Sequence, residues 1–160
     1  MKFFAPFALV ILLSSCYQRN TTEEKALHYF DLYAERTDWE GFQDQFSEKL
    51  KFEDVIFGFK MNKEEFVAFY NWPDSLFSKH PDHPKTLILE DLATTNNTAV
   101  GRGYFTPFYY GGQLMATDDP WKFTIWLKFD EKGKIIEQTD WIEYPPQFLQ
   151  QAAERLMEDD

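Results

Sequence analysis

The feature that most constrains this chain is a change of patterning near His80, from helical stripes before it to alternating strands after it. Thr21-x-x-Glu24 has the form of a capping box, and Ala26, Leu27, Phe30, Tyr33 and Ala34 follow on one helical stripe. Asp38 is placed to cap a second, short helix whose Trp39, Phe42 and Phe46 share a face. From Leu50 to Met61 the pattern turns extended, with Gly58 as a turn or bulge. Asn62-x-x-Glu65 opens a third helix carrying Phe66, Phe69 and Tyr70, and Pro73 kinks or ends it. Beyond His80, Thr86 to Thr94, Ala99 to Tyr110, Trp121 to Phe129 and Ile135 to Tyr144 read as strands. Asn96-Asn97 and Asp130 to Gly133 fit hairpin turns, Gly111 to Pro120 is a longer connection, and Pro146 to Met157 reads as a final helix. Helices first and antiparallel strands afterwards predict an α+β domain, with the N-terminal helices packed on one face of a strongly twisted, mainly antiparallel sheet.

Strand alternation then singles out polar side chains on apolar faces. In Leu50 to Ile56 one face carries Leu50, Phe52, Asp54 and Ile56, which places a carboxylate among apolar residues. In Ile136 to Tyr144 one face carries Ile136, Gln138, Asp140, Ile142 and Tyr144, so Asp140 is placed in the same way. Val100, Arg102 and Tyr104 share a face of the strand from Ala99, which puts Arg102 on a mostly apolar surface. An unpaired buried carboxylate costs several kcal/mol or takes up a proton. These groups therefore suggest a polar cluster inside an aromatic cavity, with Tyr33, Asp54, Phe69, Trp72, Arg102, Tyr104, Asp140 and Tyr144 as candidate lining residues. Two structural alternatives stay open. Asp54 and Arg102 could form an ion pair, or Asp54 could stand at a hairpin end where alternation fails. Aromatic residues make up 19% of the chain, seventeen of them Phe, enough to build a ring-lined core or pocket from few positions.

The order of elements also carries a resemblance. Helices around a short hairpin, then long strands ending in Phe129-Asp130-Glu131-Lys132-Gly133-Lys134-Ile135-Ile136-Glu137, look like the nuclear transport factor 2-like superfamily, and its SnoaL-like group in particular. The aromatic strand Trp121 to Trp126 and the hairpin Phe52-Glu53-Asp54 with Gly58 are similar to segments of that domain. The resemblance runs from about Thr22 to Tyr144. It implies a cone-shaped α+β barrel holding a ligand cavity, on a scaffold that serves isomerases, cyclases, hydrolases and binding proteins alike. Enzymes of the superfamily use an inward Asp as general base, assisted by Tyr or a second acid. By that resemblance Asp54 is the first candidate base, with Asp140 and Tyr33 as partners. The full set of such an enzyme is not present at recognisable spacing.

Cys16, the one cysteine, closes Leu13-Ser14-Ser15-Cys16 after the apolar run Phe3 to Leu13, with Lys2 before it. The layout is that of a secretory signal. Its last four residues resemble the lipobox of bacterial lipoproteins, in which the Cys thiol is acylated and becomes the first mature residue. The run is also short of the roughly twenty residues of a membrane-spanning helix. The expected organisation is a signal peptide over 1–15, the lipidated Cys16 and a polar tether over 16–22, and a single domain over 23–160. With Gln18 rather than Asp at the second position after Cys16, the expected location is the bacterial cell envelope, lipid-anchored at the outer membrane.

A net charge of −11 argues against a nucleic-acid partner, which would need basic patches. His80 and His83 beside Asp82 lie in a Pro-bounded loop with no third clear ligand, so no metal is expected, and no cofactor motif appears. Trp126 shares its strand face with Lys122, Thr124 and Lys128, which marks it as a candidate interface for a homodimer or an envelope partner. Three functions follow. The first is an anchored domain that binds a small apolar or amphipathic ligand without catalysis. The alternatives are an isomerase or cyclase with an Asp base, and a partner-docking module.

Overall fold

The computed structural model describes residues 21–74, 76–117, 120–146 and 148–150. The expected signal peptide, Cys16 and most of the tether lie outside the described residues, as does the end of the last helix. Among the described residues no helix is long and apolar enough to cross a membrane.

Helix α1 (Thr21–Glu35) buries Ala26, Tyr29, Phe30, Tyr33 and Ala34, the i, i+3, i+4, i+7, i+8 set that makes one apolar stripe. Leu27, expected on that stripe, sits at its edge and is 42% exposed, while Tyr29 is fully buried. Helix α2 (Trp39–Gln43) is capped as expected, with the Asp38 carboxylate accepting from Gly41 N–H at 2.8 Å. It stops short of Phe46. That ring opens strand β1 (Phe46–Asp54) but still packs on Phe42, at 5.2 Å between centroids. Strand β2 (Phe59–Met61) returns antiparallel to β1, and helix α3 (Lys63–Tyr70) follows behind a complete Asn62–Glu65 capping box. A single 3₁₀ turn, Trp72–Asp74, takes up Pro73.

The remaining strands are β3 (Phe77–Lys79), β4 (Leu87–Thr94), β5 (Thr98–Phe105), β6 (Phe108–Tyr110), β7 (Gln113–Met115), β8 (Lys122–Phe129) and β9 (Ile135–Ile142). Six strands form the main sheet in the order β2-β1-β9-β8-β5-β4, antiparallel except where β1 runs parallel to β9. The sheet curves around the helices and stays open, with β2 and β4 at its edges, rather than closing into a barrel. The other three strands make a separate small sheet, β3-β6-β7.

That small sheet corrects two expectations. The strand predicted from Ala99 to Tyr110 breaks at Pro107, which has no N–H to give a ladder. Phe105 N–H bonds Trp121 O at 2.9 Å and Thr106 N–H bonds Thr86 O at 3.0 Å, after which Phe108–Tyr110 leaves to pair with β3 and β7. The connection predicted over Gly111 to Pro120 therefore contains β7. Strand β5 also faces the other way from the sequence reading. Its inward positions are Ala99, Gly101, Gly103 and Phe105, because the two glycines stand where backbone and ring press closest. A Cβ on Gly101 would collide with the Phe30 ring, and one on Gly103 with the Ile88 carbonyl oxygen.

Candidate functional site

The parallel pairing of β1 with β9 sets Asp54 directly opposite Asp140, so both carboxyl groups point from neighbouring strands to the same inner face. Asp54 is the last residue of β1, and it is both inward and at a hairpin end. Its Oδ1 accepts the N–H groups of Ile56 and Phe57, each at 3.0 Å, and so folds the turn into β2. The same turn carries Ile56 out of the inner face, where it is 46% exposed. Asp54 Oδ2 accepts from the Tyr144 hydroxyl at 2.7 Å.

Asp140 lies deeper, with no exposed surface. Gln138 Nε2 donates to both its oxygens, at 3.0 and 3.2 Å. Burial pushes the Asp140 carboxyl up to about 8, and the charge of Asp54 adds to the rise against the hydrogen bonds from Gln138 and Tyr70. Asp140 therefore holds its proton at neutral pH. Burial also raises Tyr33, to about 12, and moves Tyr70 and Tyr144 upward, so these three phenols remain hydrogen-bond donors. On β9 the inward set is Ile135, Gln138, Asp140 and Ile142. Ile135 takes the place expected of Ile136 because the register against β8 shifts at Phe129.

Above this floor opens a cavity of about 640 Å³. Its walls come from every layer of the fold: Tyr33 and Arg36 at the end of α1, Phe69 and Tyr70 on α3, Phe57 and Phe59 around the β1–β2 turn, and Phe105 and Ile142 from the sheet. The small sheet adds Phe77, Phe108, Tyr110 and Met115, and Trp121, Tyr144 and Phe148 close the far side. Trp121, Tyr144 and Phe148 pack on one another, with Tyr144 stacked on Phe148 at 5.6 Å. Carbon surface dominates the lining, and polar groups converge at a few points. That is the common composition of a small-molecule site.

Of the residues singled out from sequence, Tyr33, Asp54, Phe69 and Tyr144 line the cavity, and Asp140 lies beneath it. Trp72 instead fills the core, 4.4 Å from Phe42 and 6.2 Å from Tyr33 between centroids. Arg102 and Tyr104 point to the outer face of β5, since alternation there runs opposite to the sequence reading. Arg102 pairs with Asp91, not with Asp54. Trp126 does stand on that outer face, 48% exposed and edge-on to Trp141 at 6.0 Å. His80 stacks on Tyr109, and among the described residues no group of three His, Cys, Asp or Glu could hold a metal ion.

No sequence signal marks Arg36. In Glu35-Arg36-Thr37-Asp38 it reads as one more surface charge after a helix, and its inward turn has no signature in the spacing. The aromatics of the small sheet were missed for a different reason. Pro107 was the available signal that Phe108 to Tyr110 belongs elsewhere.

No family model matches the chain, and no curated protein matches it. Solved structures do. A candidate SnoaL-like polyketide cyclase from Shewanella putrefaciens aligns at 17% identity over 83% of this chain and 97% of that one, with a TM-score of 0.63. A second such candidate from Shewanella denitrificans aligns at 18% identity over 88% and 99%, with a TM-score of 0.61. A candidate ketosteroid isomerase from Kribbella flavida aligns at 18% over 78% and 82%, with a TM-score of 0.55. This chain has the nuclear transport factor 2-like fold. At these identities the likeness concerns the fold, and the cavity of this nuclear transport factor 2-like domain stands on its own residues.

The proton on Asp140 makes stability depend on pH. Its folded value, about 8, lies above the ordinary 3.8, so between those limits the folded state binds the extra proton. The stabilisation is complete below the unfolded value and is lost as pH rises through about 8. Urea titrations from pH 5 to 8 are expected to show stability falling with pH, by up to about 1.4 kcal/mol per unit from this group. Asp140→Asn, which carries no proton to lose, is expected to flatten that slope. An unchanged slope in the variant would rule out Asp140 as its source.

Proposed function

We propose that this domain binds a small apolar or amphipathic molecule in its aromatic cavity, without chemical turnover, from a membrane surface to which an acyl group on Cys16 tethers it. The observation that carries the binding reading is the cavity itself. At about 640 Å³ it falls within the range of roughly 300–1,000 Å³ that suits small ligands, and rings make up most of its wall. The carboxylate best placed to act as a base, Asp54, already accepts three hydrogen bonds, two of which hold the β1–β2 turn. That occupation favours a structural and orienting role over proton abstraction.

The direct test is fluorescence of the neutral dye N-phenyl-1-naphthylamine with the full chain carrying Cys16→Ser, so that no acyl group competes. The dye is expected to bind at micromolar concentration. Phe69→Asp should weaken it by about tenfold, because this half-exposed ring lines the cavity yet contributes little to the core. A chain that leaves the dye dark would sink the proposal. The tether is supported by Leu13-Ser14-Ser15-Cys16. It predicts that a radiolabelled fatty acid fed to expressing cells is incorporated into the chain and is lost in Cys16→Ser.

A second reading is favoured by one specific arrangement. Asp140 places a neutral acid beside the Asp54 carboxyl group under an aromatic roof, a pairing that can serve proton abstraction next to a carbonyl. The isomerase and cyclase candidates among the structural neighbours support the same idea. On this reading Asp54→Asn lowers turnover of any substrate found by at least about a hundredfold. Turnover that survives the substitution would exclude Asp54 as the base.

A further inference from the structure

Arg36 occupies the C-terminal end of α1 with a φ of 49°, in the left-handed region where helices ordinarily close on glycine or asparagine. Its N–H still bonds Leu32 O at 2.9 Å, so the helix ends correctly on a residue poorly suited to the conformation. The side chain is turned into the cavity wall. There the guanidinium carbon lies 3.9 Å from the Phe77 ring centre and 4.9 Å from that of Trp72. Both contacts are to ring faces, which attract the cation but offer no acceptor to its N–H groups.

What Arg36 lacks is equally specific. Among the described residues no carboxylate lies within 4 Å of it, although the chain has 27 acidic residues against 16 Lys and Arg. Other cations of the fold are paired, Lys63 with Glu48, Arg102 with Asp91 and Lys128 with Glu137. A cation drawn partly out of water without a counter-charge is uncompensated, and the Tyr33 and Tyr70 hydroxyls nearby offset this only in part. The carboxylate that does line the cavity, Asp54, is committed to Tyr144 and to its own turn.

We propose that Arg36 is the anion-binding pole of the cavity, and that the ligand is an organic monocarboxylate with an apolar, ring-containing body. One guanidinium, with no second cation in the wall among the described residues, suits a singly charged head, and its planar fork matches a carboxylate edge to edge. The rings of α3 and the small sheet take the body. This inference rests on the cavity being a ligand site, and its test separates the two.

The probes are 1-naphthoate and its neutral isostere 1-naphthamide, each displacing N-phenyl-1-naphthylamine from the full chain carrying Cys16→Ser at pH 7. Naphthoate is expected to compete at least about tenfold better than the amide. Arg36→Gln should bring the two within about twofold, each referred to the dye affinity measured in that same variant. Failure of the dye to bind overturns the cavity reading and this inference with it. Dye binding with no preference for the acid, or a preference that survives Arg36→Gln, overturns the inference alone. Where Arg36→Gln does not fold, NMR of the arginine Nε–H groups decides the matter in the otherwise unchanged chain. Naphthoate should shift the Arg36 resonance, assigned through Arg36→Lys, and naphthamide should not; equal shifts overturn the proposal.

Discussion

The parallel pairing of β1 with β9 governs the interior of this domain, because it sets Asp54 and Asp140 at the same rung of one inner face. Neighbouring strands run about 4.8 Å apart, and two carboxylates at that spacing in apolar surroundings repel strongly. The fold resolves the conflict by treating the two groups differently. Asp140, stripped of water and bound to Gln138, keeps its proton. Asp54, one step nearer the cavity, receives two backbone donors and a phenol. The turn into β2, the orientation of Tyr144 and the polar floor of the cavity all follow from that asymmetry.

The cavity exists because two layers share the work of enclosing it. The six-stranded sheet provides the floor, with glycines on β5 letting Phe30 and β4 approach closely. The small sheet, made from three three-residue strands, supplies a second wall of rings. Asp54, Gln138 and Asp140 are buried at the floor. The walls are mostly rings. Arg36 is the exception in the wall, a cation held against rings at a strained helix end.

Much of this is legible in the sequence. The stripe of α1, the Asp38 and Asn62 caps, and the inward placement of Asp54, Gln138 and Asp140 all follow from periodicity and capping chemistry. Trp126 was placed correctly on the outer face by the same rule. The differences have local causes. Arg102 and Tyr104 were put inside because Val100 looked like a core residue, whereas the core face of β5 belongs to Gly101 and Gly103. Small residues carry no hydropathy signal strong enough to mark a face. Aromaticity alone suggests Trp72 for the cavity, and it does not distinguish a core ring from a wall ring.

The sequence by itself determined where the helices start, most of the long strands and the burial of two acids, because caps and alternation depend on residues only a few positions apart. It also carried the Cys16 motif, which is a matter of order along the chain. Only the tertiary structure decided that β1 would run beside β9, that Phe108 to Tyr110 would leave the main sheet, and that Arg36 would turn inward. Each of these depends on groups distant in the chain: a strand more than eighty residues away, a partner strand about thirty residues earlier, and the rings of Trp72 and Phe77. Packing chose among local conformations of similar energy, and those choices made the cavity.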